Sequence, residues 1–210
     1  DELKELTFDT FQPRGRIGLG EMQARSLEYA YNTARQYATS LKGWLLLQGN
    51  YGCGKTHLAA AIANFAVDMG VPTLFLTVPD LLDLLRFSFD AADISFEERF
   101  EQIRTPALLV LDDFGTQSAT PWAQEKLFQI INYRYINKLA TVITTNLMLD
   151  EIEGRIQSRL RDPDRFLERQ VLVGVIRDNP HSQRFQTLAG HRDIGRVAFS
   201  SIGLWRQRRQ

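Results

Sequence analysis

Residues 44–56 read Trp44-Leu45-Leu46-Leu47-Gln48-Gly49-Asn50-Tyr51-Gly52-Cys53-Gly54-Lys55-Thr56 (WLLLQGNYGCGKT). A short apolar run enters a glycine-rich turn, and a helical pattern opens at Lys55 and continues to Met69. Continuous rather than alternating apolarity predicts a strand covered on both faces. The turn satisfies G-x-x-x-x-G-K-[ST], a pattern expected by chance in about one chain in a hundred of this length. Its place between a strand and a helix gives it chemical meaning. Backbone N–H groups and a helix N-terminus there can wrap a polyphosphate. The candidate nucleotide-binding set is therefore Gly49, Asn50, Tyr51, Gly52, Cys53, Gly54, Lys55, Thr56 and His57. Lys55 is expected to neutralise the β and γ phosphates of ATP or the corresponding charge of ADP, and the Thr56 hydroxyl to ligate Mg²⁺. A turn that binds nothing has no reason to carry the lysine. Cys53 reads as a small loop residue before it reads as a redox switch, although Lys55 and the helix N-terminus favour a lowered thiol pKa. His57, on the first helical turn, suits a packing or surface contact better than catalysis.

Four more apolar runs lie at Thr73–Val78 (TLFLTV), Ala107–Leu111 (ALLVL), Ala140–Thr145 (ATVITT) and Gln170–Ile176 (QVLVGVI). Helical spacing connects them: Leu27, Ala30, Tyr31, Ala34 and Ala38 before the first strand, and Trp122 to Ile136 before the fourth. Strands alternating with helices predict an α/β fold with a parallel sheet and right-handed crossovers. The stretch 80–104 is longer than a crossover needs and holds two helical pieces, Leu81–Phe89 and Phe96–Ile103, so it reads as an insertion.

Phosphate chemistry needs an acidic partner, and LLVLDDF places Asp112 and Asp113 where a sheet of this class binds its ligands, at the C-terminal end of a strand. Asp112 is the candidate Mg²⁺ ligand beside Thr56, and Asp113 the candidate for orienting the attacking water. Asn146 ends the fourth strand at the same edge, where an amide can sense the γ-phosphate or position water. Arg155 and Arg159 stand four apart on one helical face. Such a pair either bridges to neighbouring acids or presents a guanidinium to a neighbouring subunit's nucleotide.

These residues together resemble an AAA+ ATPase, with Walker A at 49–56, Walker B at Asp112 and Asp113, sensor 1 in Asn146 and the box-VII arginine in Arg159. GKTHLAAAIAN, LDDFG, INYRY, TTN and RIQSRL are similar to the DnaC/DnaI-type helicase loaders and the IstB transposition ATPases, over roughly residues 8–176. The resemblance implies a five-stranded parallel sheet of order 5-1-4-3-2, ATP held between subunits, and a helical insertion after the second strand. It divides the chain into an AAA+ domain, 1–178, and a C-terminal extension or lid remnant, 179–210. It also places Phe8–Pro13 (FDTFQP) beside adenine. The expected departures are an acidic insertion, with seven Asp or Glu against three Arg over 80–104, and a reduced lid. A sensor-2 arginine is sought at Arg184 or Arg196. Gln117 stands where relatives often carry Glu, and the WRQRRQ tail has no counterpart. Arg86, with Phe87 and Phe89, offers either a single-strand contact or core packing.

Composition bounds the alternatives. The 210 residues are 44% hydrophobic and 24% charged, which suits an ordinary globular chain. Net charge is zero, but residues 159–210 hold eleven Arg against five acids, so an anionic partner or a simple charged surface is expected there. A single cysteine excludes an internal disulfide and fits a reducing, cytoplasmic setting. No apolar run is long enough to span a membrane. The opening at Asp1, without a signal-like stretch, implies that the natural N-terminus lies upstream.

The leading expectation is an ATP-hydrolysing helicase loader that self-assembles through its nucleotide interface and engages single-stranded DNA and a replicative helicase. A transposition helper ATPase on duplex DNA and a non-hydrolysing nucleotide-dependent adaptor stay open beside it. A small-molecule kinase is disfavoured, because 122–135 (WAQEKLFQIINYRY) reads as a packed helix rather than a mobile lid.

Overall fold

The computed structural model describes residues 2–14, 19–88, 95–115, 120–162 and the short strand at 171–172. In chain order the elements are α1 (Glu2–Glu5), α2 (Glu21–Ser40), β1 (Trp44–Gln48), α3 (Lys55–Asp68), β2 (Thr73–Thr77), α4 (Val78–Phe87) and α5 (Phe96–Arg104). They continue with β3 (Leu108–Asp112), α6 (Pro121–Ile136), β4 (Ala140–Thr145), α7 (Gly154–Leu160) and β5 (Val171–Leu172), with a single 3₁₀ turn at Leu149–Glu151 before α7. The sheet is parallel, in the order β2-β3-β4-β1-β5, the order expected from the resemblance.

Strand side chains alternate between faces, and the two faces carry separate cores. Leu45, Leu47, Leu108, Val110, Ala140 and Val142 face α2, α3 and the N-terminal segment. Trp44, Leu46, Leu74, Leu76, Leu109, Leu111 and Ile143 face α4 to α7. Burial on both sides is why β1 and β3 are apolar at successive positions rather than at every second one.

The strand expected over 73–78 stops at Thr77, because Val78 is already the first residue of α4. Thr77 caps that helix, accepting the Asp80 N–H at 3.2 Å, and Pro79 suits its first turn. The β3 strand is displaced by one residue from the expected 107–111, so Asp112 is its last member. Of the strand expected at 170–176, only Val171 and Leu172 fall among the described residues.

The expected insertion is α4 followed by α5. Ser95 and Glu98 form a reciprocal capping box that starts α5. Arg86 pairs with Asp83 at 3.2 Å and lies over the Trp122 ring, while Phe87 is 73% exposed and takes no part in the core. Phe89, Gln117, Arg184, Arg196, the 205–210 tail and the whole of the expected 179–210 extension lie outside the described residues. Among the described residues no helix is long and apolar enough to cross a membrane.

Candidate nucleotide-binding site

Parallel strands bring their C-terminal ends to one edge, and register decides which residues meet there. Gln48 of β1 pairs with Thr145 of β4, and the Gly49 N–H donates to the Thr145 carbonyl at 3.1 Å, so Asn146 follows directly beside the start of the loop. On the other side Leu111 pairs with Ile143, which sets Asp112 next to Thr144. The edge therefore gathers the 49–56 loop, Asp112, Asp113 and Asn146.

The loop turns on glycines with positive φ, 71° at Gly52 and 97° at Gly54. Gly54 has a second constraint, since a Cβ there would lie 3.0 Å from the Phe11 ring. Lys55 folds back over the loop. Its Nζ donates to the Gly49 carbonyl at 2.9 Å and the Asn50 carbonyl at 2.8 Å, and lies 3.8 Å from Cys53 Sγ. Cys53 is buried, and burial pushes its thiol up despite the pull of Lys55. The lowered pKa expected for a reactive thiol is thus reversed by desolvation. Tyr51, by contrast, is exposed.

Thr56 Oγ1 reaches both carboxylate oxygens of Asp112 at 3.1 Å. Asp112 is buried, and burial raises its carboxyl pKa against the stabilising hydroxyls of Thr144 and Thr56. Asp113 follows in a left-handed conformation, φ 55°, that an aspartate adopts only at some cost. Its N–H donates to Thr144 Oγ1 at 3.0 Å, and the Phe114 N–H to the Thr144 carbonyl at 2.8 Å. Asn146 Oδ1 is buried with no hydrogen-bond partner among the described residues.

The donor set fits Mg²⁺ and a polyphosphate. Thr56 and Asp112 are hard oxygen ligands in contact, beside a lysine at the N-terminus of α3. Among the described residues no three His, Cys, Asp or Glu side chains cluster to enclose a metal. Mg²⁺ asks for no such cluster, because it is commonly completed by substrate phosphates and water.

Other expected residues are placed differently. His57 Nε2 lies 2.9 Å from the Thr7 carbonyl and 3.2 Å from Thr10 Oγ1, so its polar atom is engaged with the N-terminal segment. Phe8 and Phe11, of the segment expected beside adenine, are buried: Phe11 stacks on Tyr31 and borders the loop at Gly54, and Phe8 meets Tyr31 and Phe65 edge-on. The two arginines of α7 part company. Arg155 pairs with Glu125 at 3.0 Å and Glu153 at 2.8 Å. Arg159 bonds Asn132 Oδ1 at 3.2 Å and lies over the Tyr135 ring, without an ion pair among the described residues.

Two residues escaped the sequence reading. Thr144 joins the acidic pair, and Arg134 is wholly buried, donating to the carbonyls of Arg104, Pro106 and Ala140 and to Thr141 Oγ1. For Thr144 the available signal was a polar residue inside a run covered on both faces, which needs a partner.

Known proteins share the fold and parts of the sequence. The replicative helicase loader DnaC of Escherichia coli (strain K12) is 30% identical over 136 residues, covering 63% of this chain and 56% of that protein. The replicative helicase loader DnaI of Bacillus subtilis (strain 168) is 31% identical over 110 residues, 52% of this chain and 35% of that protein. The chain thus spans little more than half, or less, of these relatives. A crystal structure of the DnaC helicase loader superposes with a TM-score of 0.67 at 23% identity, over 82% of this chain and 99% of that one, which shows the AAA+ fold. Residues 34–172, from within α2 to the end of β5, match the family described as IstB-like ATP binding protein, and the chain belongs to that family.

Proposed function

We propose that the chain is an ATPase that couples nucleotide binding and hydrolysis to assembly on single-stranded DNA and to the loading of a replicative helicase. The observation that carries the nucleotide half is the contact of Thr56 with Asp112 at the mouth of the glycine loop. The helicase half rests on the similarity to the loaders DnaC and DnaI.

In this reading the backbone of residues 49–54 cradles phosphate oxygens, and Lys55 exchanges its two loop carbonyls for them. Thr56 and Asp112 hold Mg²⁺. Bound ATP and its metal supply the transferable phosphoryl group and the charge that polarises it. Asp113 orients the attacking water, and Asn146 offers the buried amide oxygen as a second fixed acceptor. Arg159 reaches the nucleotide of a neighbouring copy.

Assembly on duplex DNA as a transposition helper is the second reading, favoured by the family match itself. Sedimentation with single-stranded or duplex oligonucleotides, in ATP, ADP or a non-hydrolysable analogue, separates the readings. ATP-dependent assembly preferring single strands supports the loader. Duplex preference moves the assignment to the transposition helper, and failure to bind either DNA removes both. Turnover is tested separately: Asp113→Asn is expected to lower ATP hydrolysis by about a hundredfold or more. Equal, negligible rates in the two proteins would leave a nucleotide-dependent adaptor.

A further inference from the structure

The acidic pair at the end of β3 is joined through one side chain. Thr144 lies on β4, is 1% exposed, and has no solvent to satisfy it. Its single hydroxyl proton goes to Asp112 Oδ1 at 2.5 Å, and Thr144 Oγ1 itself accepts the Asp113 N–H at 3.0 Å. The neighbouring backbone locks the arrangement. The Phe114 N–H donates to the Thr144 carbonyl, and Thr145 Oγ1 donates to the Phe114 carbonyl at 2.6 Å. The left-handed turn at Asp113 is therefore held from one direction, by β4.

We propose that Thr144 is a positioning residue, whose hydroxyl sets the Asp112 carboxylate toward Thr56 and anchors the strained Asp113 backbone in the same act. The inference rests on the assignment of Thr56 and Asp112 as the Mg²⁺ ligands of bound ATP, and it adds the group that aims one of them. A hydroxyl that only filled space would be replaceable by a methyl. Here the methyl of valine would remove the donor to Asp112 Oδ1 and leave the part-buried Asp113 N–H without its acceptor. Groups that orient metal ligands from outside commonly change metal affinity by about 10–100-fold when removed.

The test compares wild type, Thr144→Val and Thr144→Ser, using the 210-residue chain, a non-hydrolysable ATP analogue and Mn²⁺ as a paramagnetic probe. Analogue affinity is measured in EDTA, and Mn²⁺ affinity of the analogue complex by electron paramagnetic resonance. Thr144→Val is expected to bind the analogue in EDTA like wild type but to lose about tenfold or more in Mn²⁺ affinity. Thr144→Ser, which keeps the hydroxyl, is expected to recover it. Wild-type Mn²⁺ affinity in Thr144→Val overturns the proposal. So does an equal loss of metal-free binding in Thr144→Val, or a serine variant that recovers nothing, since either marks a purely structural side chain. A wild-type chain that binds no analogue at all refutes the nucleotide assignment first, and this inference with it.

Discussion

Cys53 and Lys55 lie two residues apart on one loop, and the balance between burial and charge decides how the thiol behaves. Desolvation raises its pKa above the ordinary value, and the thiolate is the reactive form. Iodoacetamide should therefore modify Cys53 more slowly than a free cysteine at neutral pH. Its rate should keep rising with pH after the free thiol has levelled off, a profile that thiol mass spectrometry reads directly. Gly54 makes a sharper demand, because its φ of 97° and the Phe11 ring 3.0 Å from a would-be Cβ both exclude a side chain. Gly54→Ala should abolish nucleotide binding by calorimetry while costing the fold about 1–2 kcal/mol in strain. Arg134 carries the largest stability effect predicted for one side chain. Burial pulls its guanidinium down to about 10, so it stays charged at neutral pH, and four acceptors depend on it. Arg134→Met should destabilise the chain by about 3–5 kcal/mol, read as a lower urea midpoint. The glycine, lysine and aspartate positions were legible because a spacing or the end of an apolar run marks them. Arg134 was not, since on a helix a buried arginine and a solvated one look alike in sequence.

At the scale of elements, legibility followed burial. β1 and β4 coincide with their expected bounds because both faces are covered and every residue of each strand is buried. The end of β2 differs because a helix begins immediately: Val78 is apolar enough for a strand, but the cap at Thr77 and the proline after Val78 claim it for α4. The N-terminal segment was less legible still, because its partners are distant in sequence. Asn64 Nδ2 donates to the carbonyls of Leu3 and Leu6 at 2.8 and 3.0 Å, His57 engages Thr7 and Thr10, and Phe11 wedges against Gly54. Residues 2–14 are thus clamped along α3 from its first turn to its third. Phe11→Ala should cost about 3 kcal/mol by denaturant titration. Because the ring also abuts the phosphate loop, nucleotide affinity should fall with it. Asn64→Ala, which acts two turns further from the loop, should loosen the segment in hydrogen exchange and leave nucleotide affinity nearly unchanged.

At the scale of the whole molecule, the sheet collects the loop, the two aspartates and Asn146 on one edge, while α7 carries its arginines on separate chemistry. Both arginines were expected on one helical face, and sequence alone left open whether acids neutralise them. Arg155 is held twice by acids of its own chain, which spends its charge locally. Arg159 has an amide and two aromatic rings, Phe128 and Tyr135, for company, and these leave it without an ion pair among the described residues. If a neighbouring copy's nucleotide is what Arg159 serves, the two arginines must differ in one measurement. Arg159→Ala should bind ATP with wild-type affinity as a monomer yet fail to sediment as an assembly in ATP. Arg155→Ala should assemble as wild type does, because its charge is already paired within its own chain and exposed ion pairs of this kind contribute only about 0–1 kcal/mol. Equal loss of assembly in both variants would mean that α7 is simply a packing surface, and normal assembly of Arg159→Ala would remove the arginine from the interface altogether.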